Sequence, residues 1–592
     1  MVDEPILHTP SHRVHALSSF DITFTLQDSQ QHIRLTASPN HDVIAEDATV
    51  QYLAPDGSIR STEVIDRLDH KVFMGSAWLQ HEEGAEWTNV GWARILVHRD
   101  GSNPLFEGAF RIDGDHNHIQ TRRNYLNAKL PEDPQLEQDG EEYMIVWRDS
   151  DIVPDMPTEL RRDIDEGASC PAHTLSFNRR EDHPVYTAML KREKVEEASG
   201  LWGSLSIKSL LGRQIDGQTS GNGAGVNLSS TIGDTAGCPN ARKVALIGVA
   251  TDCTYTASFN STSSARANII AQINSASVQY ENSFNISLGL KNITISDATC
   301  PTTVQPSTPW NVPCSSSVSI SDRLNSFSGW RGNQSDSNAW WTLLSTCNTG
   351  SAIGLSWLGQ ACVTGSSSSD NETVASANVV VRTSQEWQVI AHESGHSLGA
   401  VHDCTSTTCS DGTTVKAQQC CPFSTSVCDA GGQFIMNPSS GSGITKFSAC
   451  SIGNICSALG RGGVKSSCLV ANKDVSIITA SQCGNGIVEA GEECDCGGVS
   501  GCGNDTCCVP TTCKFTAGSQ CDASNEECCT STCQFATAGT VCRASSGVCD
   551  PQEICSGNNA TCPPNTNAPD GMYFHILRSF EFLGLANLGH LY

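Results

Sequence analysis

The stretch TSQEWQVIAHESGHSLGAVHD, Thr383 to Asp403, contains the pattern His-Glu-x-x-His-x-x-Gly-x-x-His-Asp, and the rest of the chain is read outward from it. Thr383 followed three residues later by Glu386 has the form of a capping box, which predicts a helix starting just before Trp387, Val389, Ile390 and Ala391. On that helix His392 and His396 stand at i, i+4 and project from one face, so two imidazoles can reach one metal ion without moving the backbone. Gly399 can take the left-handed conformation that ends a helix sharply, and the turn returns His402 as a third ligand. Three neutral imidazoles with an open fourth position form the donor set of a catalytic zinc; four protein ligands would make a closed, structural one. Glu393, beside the first ligand, is the expected general base: it takes a proton from the attacking water, which the metal acidifies, and returns it to the leaving amine. A lone His-Glu-x-x-His is only suggestive, and the spaced Gly and third His make the pattern specific.

With 592 residues the chain exceeds one core, and three or four domains are expected. A formal charge of −27 argues against nucleic acid or an anionic membrane surface as a partner. Of 30 cysteines, one lies before residue 237, fourteen fall between 238 and 468 and fifteen between 483 and 562. That density implies disulfide formation along the secretory route, and the even middle set can pair within itself. Cys404, Cys420, Cys421 and Cys428 could staple the loop beneath the metal. Eight Asn-x-Ser/Thr sequons, at Asn227, Asn260, Asn285, Asn292, Asn333, Asn371, Asn504 and Asn559, point to the same compartment. The opening MVDEPILHTPSHRVHALSSF has no apolar run suited to a signal peptide, so the expectation is a sequence lacking its true N-terminus.

Residues 17–150 alternate apolar and polar positions, as in Phe20 to Leu26 and Ala93 to Val97, which predicts a strand-rich, cysteine-free domain. Cys170 is the one early cysteine; its thiolate could fill the fourth zinc position and exclude water. Cleavage at Arg179-Arg180 or Lys191-Arg192 would then free the site, whereas cleavage at Arg161-Arg162 would leave Cys170 attached. Residues 214–237, rich in Gly and Ser, read as a flexible linker. Val244–Ala250 has the run of a buried strand and Ala267–Tyr280 helical spacing, and strand-like segments follow at 285–295, 352–359 and 377–382, giving an α/β layout. From 483, in CGNGIVEAGEECDCG, cysteines must substitute for a core. The tail after Pro569-Asp570-Gly571 is apolar but broken by charged residues and is a poor membrane span; it looks like an altered terminus, leaving one thiol of an odd set unpaired.

The zinc pattern resembles that of the metzincin endopeptidases, and Asp403 after the third His points to the reprolysin branch, which holds the ADAM proteases; the fungal ADAM B type is the nearest likeness. Phe434-Ile435-Met436-Asn437-Pro438 resembles the family's Met-turn, with Met436 beneath the ligands. The resemblance implies a multidomain chain: a β-rich prodomain at 1–213, a linker at 214–237, an α/β metzincin zinc-protease domain at 238–472, and a disulfide-rich disintegrin domain with little regular structure at 473–570, followed by an atypical tail at 571–592. It further implies a zymogen held by a cysteine switch at Cys170, and a substrate-pairing edge strand at Ile353–Leu358. Candidate calcium ligands by resemblance are Asn485, Glu489, Glu492, Asp495, Asp550 and Glu553, oxygen donors suited to a hard cation. The loop Cys542–Asp550 lacks Arg-Gly-Asp, so a cell-surface partner has no motif of its own there. Protein substrates, one Zn2+ and an extracellular or cell-surface location are the expectations. The rival reading is a non-catalytic binding protein, which the intact Glu393 and three histidines disfavour.

Overall fold

The structure is a computed structural model. It describes the chain apart from residues 10–11, 27–30, 82–84, 102, 130–132, 137–141, 152–168, 181, 188–227, 349–350, 413–418, 440, 442, 472–482, 490, 544–550, 564–572, 576–582 and 586–592. Alternation in the first 150 residues produces the strands it predicts. They are β1 Val2–Leu7, β2 Phe20–Leu26, β3 Gln31–Pro39, β4 Ile44–Leu53, β5 Ile59–Val64, β6 Lys71–Gln80, β7 Thr88–Arg99, β8 Leu105–Ile112, β9 Asp115–Thr121 and β10 Met144–Arg148. Eight of these form an antiparallel sheet in the order β1-β2-β3-β6-β7-β8-β9-β10 around Phe24, Phe73, Phe106 and Phe110.

Strands β4 and β5 leave that sheet. β4 pairs in parallel with β12 Ile286–Ile295, Val50 opposite Ile293, and so extends the second sheet, whose order is β14-β17-β13-β11-β12-β4-β5. Its remaining members are β11 Lys243–Thr251, β13 Trp341–Ser345, the edge strand β14 Gly354–Ser356, β17 Ala377–Val381 and a short strand at Leu469–Ala471 antiparallel to β11. A hairpin of β15 Ser366–Ser369 and β16 Glu372–Ala375 flanks it. β11, β12, β13 and β17 run parallel, and β11 and β17 read as near-continuous Val, Ile, Leu and Ala, as strands covered on both faces do. Helix α1 Thr262–Phe284 packs on β12 and, from its other side, on β7, where Arg94 and Glu281 form a buried ion pair at 2.7 Å. Helices α2 Ile320–Gly332, α3 Glu386–Ser397 and α4 Ala449–Gly460 complete this layer.

Residues 228–237 depart from the flexible linker reading. Leu228 and Thr231 are buried, Gly233 N–H donates to Ala449 O at 2.9 Å, and Gly453 is bare where Thr231 O crosses α4. The rest of that linker and the Lys191-Arg192 and Arg161-Arg162 pairs lie outside the described residues.

All fourteen cysteines between 238 and 468 pair within that stretch, as 238–456, 253–300, 314–347, 362–468, 404–420, 409–428 and 421–450. From 483 onward the small clusters that replace a core consist mainly of cysteines, such as Cys494, Cys496 and Cys508. Cys549 lies outside the described residues. Among the described residues, no helix is long and apolar enough to cross a membrane.

Candidate metal centre and cleft

Helix α3 does not start as a capping box. Its N-cap is Gln385, which makes no side-chain cap bond, and the Thr383 hydroxyl is buried without a partner. Glu386 points instead into the core, where it accepts from Tyr255 Oη at 2.7 Å and Asn268 Nδ2 at 3.2 Å. Tertiary packing, with all twelve helical residues buried, substitutes for the cap. The other end is as expected: the helix stops at Ser397, and Gly399 takes φ +97°.

The reversal at Gly399 brings β18 His402–Asp403 beside the helix, in parallel with β19 Cys420–Cys421 and tied to it by Cys404–Cys420. His392, His396 and His402 converge, with Nε2 atoms 3.1–3.2 Å apart. His392 Nδ1 is held by Ile435 O at 2.6 Å and His396 Nδ1 by Ala400 O at 2.7 Å. A carbonyl only accepts, so in both rings Nδ1 carries the proton and the Nε2 lone pair is free for a metal. Burial pushes His392 down to about 4 and His396 and His402 well below the ordinary histidine range, keeping all three neutral, as ligation requires.

Both oxygens of Glu393 are buried; the Cys170 thiol is the neighbour within hydrogen-bonding reach, and burial pushes the carboxyl up to about 8. A buried carboxylate beside three convergent lone pairs fits a divalent cation and its water. Beneath them lies Met436: a Cβ on Gly395 would meet its Sδ at 2.6 Å. Asp403 sits away from the metal, accepting from Ser448 Oγ at 2.5 Å and Ser451 Oγ at 3.3 Å while its N–H donates to Met436 O at 2.8 Å. It thereby ties the third ligand to both the Met-turn and α4.

Cys170 reaches this centre from the N-terminal domain. Its Sγ lies 3.6 Å from His396 Nε2, and the four side chains form one buried cluster of metal-binding atoms. Burial, then the neighbouring Glu393, raises the thiol well above its usual range when no cation is present. Backbone bonds seat it: Ser169 N–H donates to Ser351 O at 2.7 Å, Ile353 N–H to Ser169 O at 2.9 Å, and Cys170 N–H to Pro438 O at 2.8 Å. The segment thus lies extended between the edge next to β14 and the far wall of the cleft. Downstream, Asn178 bridges to Ser356 O and Leu358 N, and Glu372 of β16 accepts from the N–H groups of Ser176 and Phe177.

The candidate calcium residues divide. Asn485, Glu489, Glu492 and Asp495 share one loop, in which Asp495 accepts from the N–H groups of Gly484, Asn485 and Gly497, and Glu492 from that of Glu489. Glu553 lies in a separate hairpin and pairs with Arg543 at 3.3 Å; Asp550 is outside the described residues. Sequence reasoning missed Gly354, where a Cβ would lie 2.1 Å from Glu393 Oε1, and Gln385 and Gln388, which line the cleft beside His392. No spacing pattern links Gly354 to the motif, whereas Gln385 and Gln388 precede His392 by seven and four residues on the same helical face, a signal that could have found them.

Fold and centre together define a zinc metallopeptidase. Residues 240–448 match the model of metallo-peptidase family M12, and residues 489–565 match that of the disintegrin domain. The chain is 52% identical over 96% of its length to a disintegrin and metalloproteinase domain-containing protein B of Aspergillus fumigatus, covering 73% of that protein. It is 47% identical over 96% of its length to the protein of the same name in Arthroderma otae, covering 72% of it. It is also 35% identical over 55% of its length to the zinc metalloprotease mde10 of Schizosaccharomyces pombe, covering 65% of that chain. The chain belongs to the disintegrin and metalloproteinase (ADAM) family and is a zinc metalloendopeptidase that acts on proteins.

Proposed function

We propose that His392, His396 and His402 hold the zinc ion and that Glu393 is the general base and acid of peptide-bond hydrolysis. The observation that carries this is the convergence of three Nε2 atoms within 3.2 Å beside the buried Glu393 carboxylate. When bound, zinc supplies Lewis acidity, which acidifies the attacking water and polarises the scissile carbonyl. Glu393 accepts the proton of that water and delivers it to the departing amine, in a water-poor pocket that raises its basicity. Gly354 leaves the room that carboxylate needs, and Gly399, Asp403 and Met436 fix the ligand loop. The substrate lies extended along Ile353–Leu358, where Ser169 now bonds Ile353 and Asn178 bonds Ser356 and Leu358, so recognition is of backbone more than of side chains.

Residues 1–187 act as the inhibitory part of a zymogen, with Cys170 as latent-state ligand in the fourth position. Arg179-Arg180, exposed on the surface, and Lys191-Arg192 are the candidate activation sites. The loop of Asn485, Glu489, Glu492 and Asp495 is a candidate calcium site, and the disintegrin module a candidate surface for a partner at the cell exterior. Paired cysteines support passage through the secretory route and an extracellular or surface location.

The test is hydrolysis of a denatured protein by the processed, zinc-loaded chain from a secretory host. Glu393→Ala and a chelator should each lower the rate by roughly 10²–10⁴, with zinc restoring the chelated enzyme. A folded, metal-loaded enzyme no faster than Glu393→Ala would refute the assignment. In the uncut chain, Cys170→Ala should raise activity; no rise would remove Cys170 as the latch.

A further inference from the structure

Between the first turn of α3 and the N-terminal domain lies a buried polar cluster outside the metal centre, two of whose members, Gln385 and Gln388, also line the edge of the cleft. His116 and His118 of β9 and Asp149, just after β10, meet Gln385, Trp387 and Gln388 from the enzyme side, and all six are buried. Asp149 Oδ1 accepts from His118 Nε2 at 2.8 Å and from Gln385 Nε2 at 3.1 Å. Asp149 Oδ2 accepts from Gln388 Nε2 at 2.8 Å and lies 3.1 Å from His116 Nδ1, which is itself 3.2 Å from the same Gln388 amide. The Trp387 indole N–H donates to His118 Nδ1 at 3.1 Å.

These contacts have room for neutral histidines only. An indole N–H cannot accept, so His118 Nδ1 is bare and its proton points from Nε2 to Asp149. A proton added at Nδ1 would set one N–H against another. His116 Nε2 is buried and, among the described residues, has no partner, so protonating His116 leaves a charged donor without an acceptor. A third histidine in the seam is built alike. His183 Nε2 faces the Leu358 carbonyl at 3.1 Å, and its Nδ1 accepts the Val185 N–H at 3.2 Å. Both nitrogens are committed to the neutral ring.

We propose that this seam is the socket that keeps the N-terminal domain on the enzyme once the connecting chain is cut, and that protonation of its histidines releases the domain. The proposal rests on the reading of residues 1–187 as the inhibitory part. The other charged groups facing His116 are Asp149 and, from β8, Arg111. Asp115 beside it is taken by Ser150 N and Oγ, and Glu386 of α3 turns away toward Tyr255. His183 faces Arg180 and Asp182 of its own segment and only a carbonyl of the enzyme.

Burial lowers His116 despite Asp149, and lowers His183 to about 4 despite the Leu358 carbonyl. Once released, both would titrate near the ordinary histidine value of about 6.5. The free state then binds more protons below that value, so docking is intact above about pH 6.5 and weakens as pH falls toward the docked values. Burial opposes ionisation of Asp149, yet His118 and His116 hold its carboxyl well below the usual range, so its own titration falls outside this window.

The test uses the full chain with Glu393→Ala, a specific protease site inserted between residues 188 and 227, and size-exclusion chromatography after cutting. The two parts should co-elute at pH 7.5, and the bound fraction should fall roughly tenfold or more by pH 5.5. His116→Gln with His183→Gln should remove most of that fall. Gln388→Leu, which strips the shorter of two enzyme-side donors from Asp149, should weaken co-elution at pH 7.5. Wild-type parts still joined at pH 5.5, a double variant that releases like wild type, or a Gln388→Leu chain that holds as tightly as wild type would each overturn the proposal. If the double variant does not fold, the wild-type profile and Gln388→Leu still decide. Since the readout is association, its failure leaves the peptidase assignment untouched.

Discussion

At Gly354 the backbone of the edge strand passes so close to Glu393 that any side chain would occupy the carboxylate's place; a Cβ would lie 2.1 Å from Oε1. The expected outcome for Gly354→Ala is a folded protein, melting within a few degrees of wild type, whose rate falls roughly tenfold or more because the general base is displaced. Unchanged hydrolysis would mean that Glu393 has another rotamer to work from. The four motif residues could be named from spacing alone because they lie within eleven positions of one another, His392 to His402, on one helix and one turn. Gly354 and Asp149 could not, since they come from distant segments and share no period with the motif, whereas Gln388 stands one helical turn before His392 on the same face. The capping box failed at the same scale: Glu386 has the right spacing, but a buried tyrosine and asparagine compete for its carboxylate and win.

At the scale of elements, the segment from His402 to α4 is held by three disulfides and by hydroxyl donors to one oxygen of Asp403. Ser448 caps α4 through the Ser451 N–H at 3.0 Å and also donates to Asp403 at 2.5 Å. Burial pushes Asp403 up to about 7 against these hydroxyls, which shows how dependent the buried carboxyl is on its two donors. Ser448→Ala should therefore cost about 1–2 kcal/mol, the value of a lost cap, and Ser448→Thr should recover most of it in thermal unfolding. An alanine variant as stable as wild type would show that Ser451 alone supports both. The strands and helices of the catalytic layer were legible because their apolar runs are long. That β4 joins this sheet was not, since the alternation in Ile44–Leu53 says only that one face is buried, never against which partner.

Across the whole molecule two strategies of stabilisation stand side by side. The N-terminal sheet has no cysteine and packs phenylalanines, whereas the region from 483 relies on bridges such as 483–513, 507–533 and 528–555. A reductant should leave amide exchange in β2, β3 and β6 nearly unchanged while speeding it by about tenfold or more across 494–562, because the cross-links there substitute for core burial. Equal protection in the reduced protein would contradict that division. The N-terminal domain also touches the far module: Ser18 Oγ donates to Asn485 O at 2.6 Å, so one domain contacts both the enzyme and the disintegrin loop.

The sequence by itself determined which three histidines and which carboxylate would meet, the even pairing of the middle cysteines and the kinds of domain. Each of these depends on residue chemistry at short spacing or on composition. Only the tertiary structure decided that β4 is a strand of the enzyme's sheet, that Cys170 lies 3.6 Å from His396, and that His116, His118 and Asp149 grip the start of the zinc helix. Those contacts join residues more than two hundred positions apart. The local periodicities that make a chain readable carry no information about which surfaces, once folded, will be complementary.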